Sequence, residues 1–169
     1  MTALAEPSEA VSPRGARFAP VHRKLLFVAA FGLFVRVAYV MLYARTLELG
    51  WDASWYTGIG DRLASGHGYS VTCPLVASCA GRATALFPPV MPLLYAGTAK
   101  VGASSLVGRQ LVLAVIGSVT VFLIGLLGLR VGGPKVAIAA AVLAAINPMM
   151  ILLEGSLMSE AVAVPLAAL

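Results

Sequence analysis

The chain has 169 residues, 60% of them hydrophobic and 11% charged, with a mean hydropathy of +0.93 and a net charge of +5. That balance argues against a soluble globular domain, which needs more polar surface than this sequence can supply. Nucleic acid is excluded as a partner, because the basic residues form no stripe and do not interleave with aromatics.

Residues 1–23, rich in Ala, Pro, Ser and Glu with Arg14, Arg17 and Arg23, read as a disordered basic tail. An apolar run over 25–44 follows, interrupted only by Arg36. It is longer than the roughly 7–15 residues of a signal-peptide core, so it reads as an uncleaved first span. Further apolar runs cover 106–129 and 136–153, and another begins at 157–169. Each of the three complete runs is long enough to cross, or nearly cross, a hydrocarbon core of about 30 Å. The fourth stops nine residues beyond Glu160, about 13 Å of helix, and a helix ending at that depth leaves carbonyls unpaired in lipid. The expectation is an all-α, polytopic transmembrane bundle truncated in its fourth span, the N-terminal part of a longer protein.

Basic residues set the expected topology. Arg14, Arg17, Arg23 and Lys24 precede the first span, and Arg130 and Lys135 bracket the turn before the third. Placing both in the cytoplasm satisfies the positive-inside rule and puts the loop over 45–105 outside, in the cell envelope. The first piece of that loop predicts a short helix lying on the membrane. Asp52 would cap it, Trp55, Ile59 and Leu63 recur every four residues, and Ser65 to Gly68 would end it. Trp51, Trp55 and Tyr56 are residues expected at headgroup level. Asp61, about 180° around from Asp52, reads as a solvated surface residue. Phe87 to Lys100 predicts a second helix, with its prolines in the first turn. One reading lays it in the interface; the other sends it across, which would put Arg130 and Lys135 outside against the charge rule.

Small residues line two spans: Gly117, Gly125 and Gly128 in the second, and Ala137, Ala141 and Ala145 in the third. They predict close helix packing and nothing more. Asn147-Pro148 predicts a kink near the outer end of the third span.

Several residues could carry chemistry. Asp52 is either an ordinary capping carboxylate or a general base held where lipid-borne and water-borne groups meet. Arg36, inside a span, calls for a partner or a polar cavity. Glu160 is the expected partner, with unpaired snorkelling of Arg36 the alternative; Glu154, near the interface, needs none. Cys73 and Cys79 are either a disulfide across a five-residue ring or two free thiols. His67, between two glycines, is either a solvated loop residue or a phosphate contact. No cluster of ligands points to a metal.

The order of motifs carries a resemblance. Asp52-Ala-Ser-Trp-Tyr56 is followed by Arg62-Leu-Ala-Ser-Gly66 and then by Phe87-Pro-Pro-Val-Met-Pro-Leu-Leu-Tyr95. Gly108-Arg109, Asn147-Pro148 and Leu157-Met-Ser-Glu160 come after. Over residues 24–169 this resembles the N-terminal part of polyprenyl-phosphate-sugar-dependent glycosyltransferases of the GT-C fold. The nearest are bacterial members of glycosyltransferase family 39, akin to protein mannosyltransferases and aminoarabinose lipid A transferases. The resemblance implies Asp52 as the catalytic residue, accepting a proton from an acceptor hydroxyl while a lipid phosphate leaves the sugar. Tyr56, Arg82, Glu160, Arg36 and His67 are then the candidate substrate-binding residues. Where the aminoarabinose enzymes carry Glu-Lys before the first proline, this chain has Leu86-Phe87, with Arg82 the nearest cation. The implied partners are a polyprenyl-phosphate-linked sugar, a lipid, glycan or protein acceptor, and the bilayer. The resemblance leaves a metal requirement open, since some such enzymes use a divalent cation and others do not. The rival readings are a transporter or flippase fragment and an inactive truncated product.

Overall fold

A computed structural model describes residues 18–71, 81–85 and 87–169. The tail and both cysteines, Cys73 and Cys79, lie outside the described residues. Within them the elements are helical, with one isolated antiparallel bridge between Ser70 and Ala83 and no strand. Two helical stretches are long and apolar enough to cross a membrane, Pro20–Thr46 and Leu106–Ala145.

The first covers most of α1, Phe18–Leu42, which beyond Lys24 is apolar on all sides apart from Arg36 in its second half. The second, α4, spans Leu106–Ala145 and starts on Ser105, whose side chain accepts the Gly108 N–H at 3.1 Å. Forty residues of straight helix would reach about 60 Å, twice a hydrocarbon core. The chain instead breaks at Gly133, with φ 75° and ψ −167°, a conformation open to glycine and strained for any other residue. Pro134 then starts the second arm, where its missing N–H has no bond to lose. The arms fold back on each other: a Cβ on Gly128 would meet the Ala137 Cα at 3.1 Å, and one on Gly125 the Ala141 Cβ at 3.2 Å. Residues 106–132 and 134–145 are thus an antiparallel hairpin.

The second arm stops at Ala145. Asn147 caps α5, Pro148–Gly155, its Oδ1 accepting the N–H groups of Met149 and Met150 at 3.0 and 3.1 Å. The Asn-Pro pair therefore ends one helix and starts another. Against this hairpin, α1 runs antiparallel to the first arm, with Leu25 at Gly125 and the Ala29 carbonyl accepting from Ser118 Oγ at 2.8 Å. It runs parallel to the second arm and α5, with Gly32 at Ala145 and Tyr39 at Gly155. Val21, Leu25, Ala29, Val121 and the alanines Ala137, Ala141, Ala144 and Ala145 form the core of this three-rod bundle. Arg23, Lys24, Arg130 and Lys135 are exposed at the Gly133 end.

At the opposite end lies a raft of two helices, α2 over Trp51–Ala64 and α3 over Val90–Lys100. They touch tightly at Gly60, where a Cβ would come within 2.8 Å of the Tyr95 Cβ and 2.9 Å of the Pro92 carbonyl oxygen. The helix α3 has 11 residues, about 16 Å at helical rise, too short to cross a bilayer. Its flank lies along α2, which favours the reading of two helices side by side over that of an extra span. The N-cap of α2 is Gly50, not Asp52. Gly50 has extended backbone and its carbonyl accepts both the N–H and the hydroxyl of Ser54 at 3.0 Å, so the helix starts one residue before the aspartate. A second core of Ala53, Tyr56, Met91, Tyr95, Leu113, Leu157 and Ala161 joins the raft to the first arm and to α6, Glu160–Ala167.

Candidate functional site

In the first turn of α2, Asp52 is exposed and makes no hydrogen bond or ion pair among the described residues. It sits in the first turn of the helix, at the positive end of the helix dipole. One turn on, and so on the same face, Tyr56 is buried. The Tyr56 ring meets Phe87 edge-on at 5.3 Å, and Trp55 meets Phe87 at 5.8 Å. Of the aromatics expected at headgroup level, Trp51 alone is exposed, and Tyr56 instead forms part of the raft's core.

Tyr56 lines an apolar groove of about 240 Å³ between the raft and α6, with Pro88, Val90, Met91, Val162 and Leu166. A second hollow of about 430 Å³ lies against Tyr69, Thr84, Phe87 and Pro89. Pro88 borders both, so the Phe87-Pro88 segment stands as a wall between them. The wall is braced by the Tyr69 hydroxyl, which donates to the Phe87 carbonyl at 2.8 Å.

Arg36 does not pair with Glu160. Its Nε donates to Glu154 Oε2 at 2.7 Å, and both side chains are about 95% buried or more. Its two terminal nitrogens reach the carbonyls of Gly32 and Ala145 at 3.1 Å and of Ala144 at 3.4 Å. The break at Asn147-Pro148 explains these last two. Pro148 has no N–H for Ala144, and the Met149 N–H that would serve Ala145 is taken by Asn147. Arg36 thus caps the second arm from a different helix, and no face of it is left for a substrate. Gly117 makes room for the carboxylate, since a Cβ there would fall 2.2 Å from Glu154 Oε1. So at least one of the small residues does more than pack helices. Glu160 is exposed and, among the described residues, its carboxylate hydrogen-bonds only the hydroxyl of its neighbour Ser159, at 3.3 Å. Counting depth along a straight third span put Glu154 at the interface. A helical side chain leans back toward its N-terminus, and this one reaches down to Arg36.

Asp61 is likewise not a free surface residue. Its half-exposed carboxylate accepts from a terminal nitrogen of the buried Arg109. The Arg109 guanidinium also lies 5.5 Å from the centre of the Tyr95 ring, and its Nε has no acceptor among the described residues. Tyr95 is fully buried and donates its hydroxyl to the Leu157 carbonyl at 3.0 Å. Burial pushes that hydroxyl above its ordinary value, so it remains a neutral donor. Beside Arg109, the buried Gln110 donates to the carbonyls of Ala44 and Gly155, each at 2.8 Å. This tie had no signal in the sequence beyond one amide in an apolar run.

His67 is exposed just past α2, with Nδ1 2.9 Å from Ser65 Oγ, and Arg82 is exposed in the loop segment. Neither lines the groove beside Tyr56. Among the described residues, no three His, Cys, Asp or Glu side chains converge in a way that could hold a metal ion. No family model, curated protein or solved structure matches the chain.

Proposed function

We propose that the chain belongs to an integral-membrane glycosyltransferase of GT-C type. In this reading it transfers a sugar from a polyprenyl phosphate to an acceptor hydroxyl at the outer face of the cell membrane. The observation that carries the reading is the pairing of an unpartnered carboxylate with a lipid-compatible groove. Asp52 is held by α2 one turn from Tyr56, and Tyr56 lines an apolar hollow suited to hydrocarbon. An acceptor hydroxyl approaching from water would give its proton to Asp52 as its oxygen attacks the anomeric carbon. The lipid phosphate leaves with the electron pair of the broken C–O bond, already anionic and needing only donors around it. Clustering of Arg23, Lys24, Arg130 and Lys135 at the far end favours a cytoplasmic position for that end and an outer one for the raft.

A transporter would need a charge free to exchange partners during its cycle. Arg36, with one carboxylate and three carbonyls around it, is fixed in place, which favours the enzyme. The test is Asp52→Asn in the intact protein, with insertion and expression verified. Sugar transfer from a polyprenyl-phosphate donor should fall by a factor on the order of 100 or more. Wild-type turnover in that variant would sink the assignment.

A further inference from the structure

We propose that Arg109 is a positioning residue: through Asp61 it sets the tilt of α2 and hence the place of Asp52. The inference rests on the glycosyltransferase reading of Asp52 given above. The raft's backbone touches the bundle little, since α2 packs chiefly on α3 and α3 only sparingly on α4, and its attachment runs through the side chains of the second core and the ties of Arg109. Within the raft there is no slack, because Gly60 rests directly on the Tyr95 Cβ and the Pro92 carbonyl. The raft therefore moves as one body, and its orientation depends on the few groups that tie it down.

Arg109 is at the centre of those ties. It belongs to the first turn of α4, bonds Asp61 in the last turn of α2, and lies against the face of Tyr95 in α3. Tyr95 in turn holds Leu157, just before α6, by its carbonyl. One guanidinium thus touches α2 and α3 directly and the link between α5 and α6 through one intermediary. A bulky apolar residue would fill the same space without leaving a buried Nε unpaired, an arrangement that costs stability. The arginine's distinctive contribution is a directional bond to α2.

The leverage is geometric. Asp52 and Asp61 occupy opposite ends of α2, about 13 Å apart at helical rise. A tilt of about 10° at the Asp61 end displaces Asp52 by roughly 2 Å, and an error of about 1 Å can cost on the order of 100-fold in rate.

The experiment follows hydrogen–deuterium exchange over α2 in the intact protein in phospholipid nanodiscs, with and without undecaprenyl phosphate as the probe. In Arg109→Gln and Asp61→Asn, α2 should exchange roughly tenfold faster while α1 is unchanged. The protection that the probe gives α2 should weaken in both variants, and Arg109→Lys, which keeps the charge, should recover part of it. Asp61→Asn alters an exposed side chain and carries the test should Arg109→Gln not fold. Unchanged α2 exchange in both variants overturns the tie. Faster exchange with full probe protection reduces Arg109 to a structural role and overturns the positioning claim. A wild-type α2 that the probe leaves unprotected counts against the glycosyltransferase reading, while the comparison between variants still decides the tie.

Discussion

The bundle and the raft each hold one arginine–carboxylate pair, and the two are built to different standards. In the bundle, Arg36 and Glu154 are shut away from solvent, and the arginine has four acceptors from three helical segments. At the raft, Arg109 is buried but Asp61 is half exposed, and one nitrogen of the arginine has no acceptor among the described residues. A buried pair resists rearrangement because neither charge can leave without stranding the other. In a half-solvated pair the exposed partner can turn to water, so the tie is the weaker of the two. The first arrangement suits a scaffold, and the second leaves one partner of the tie open to solvent.

The comparison can be broken hardest at the bundle. Replacing either Arg36 or Glu154 with Leu should cost about 3–5 kcal/mol of stability by leaving an unpaired buried charge. Denaturant unfolding of the intact protein in detergent measures it, and the double replacement should cost less than the two single costs added together. Costs below 1 kcal/mol for both single variants would show the pair to be ordinary. The next largest effect belongs to the raft's own packing. Gly60→Ala drives a methyl group into Tyr95 and the Pro92 carbonyl and should cost about 1–3 kcal/mol. Faster exchange confined to α2 and α3 would report it, with α1 and α4 unmoved. The smallest effect is one of pH. Burial holds the Tyr95 hydroxyl above its ordinary value of 10.0, so the folded state keeps that proton longer than the unfolded chain does. The stability this contributes is complete below about pH 10 and is lost as pH rises further. Alkaline titration should therefore loosen the raft before the bundle, and Tyr95→Phe should remove that part of the response.

Much of the helical layout was written in runs of apolar residues, and the reversal at Gly133-Pro134 in the pairing of residues with opposite backbone needs. The contacts between helices were less legible. A helical wheel showed that Asp61 points away from Asp52 but could not show that Arg109 stood on the other side. Arg36 announced a need for a partner, yet the choice between Glu154 and Glu160 depended on where the third rod breaks and how far a side chain leans back. Asn147-Pro148 signalled a bend, while the two orphaned carbonyls it leaves, and the arginine that takes them, belong to tertiary structure. Asp52 was the reverse case: its exposure on α2 follows from local pattern, whereas the groove beside it is assembled from three segments.

The Arg36–Glu154 pair also bears on the order in which the protein is made. The arginine is synthesised 118 residues before its carboxylate. On the membrane reading, α1 entering a bilayer alone would carry an unmatched guanidinium at about 2.5–3.5 kcal/mol on insertion scales. The carbonyls of Ala144 and Ala145 would arrive later with the complementary defect. Each helix thus emerges with a fault that only the other repairs, and assembly of the first three rods becomes a single committed event.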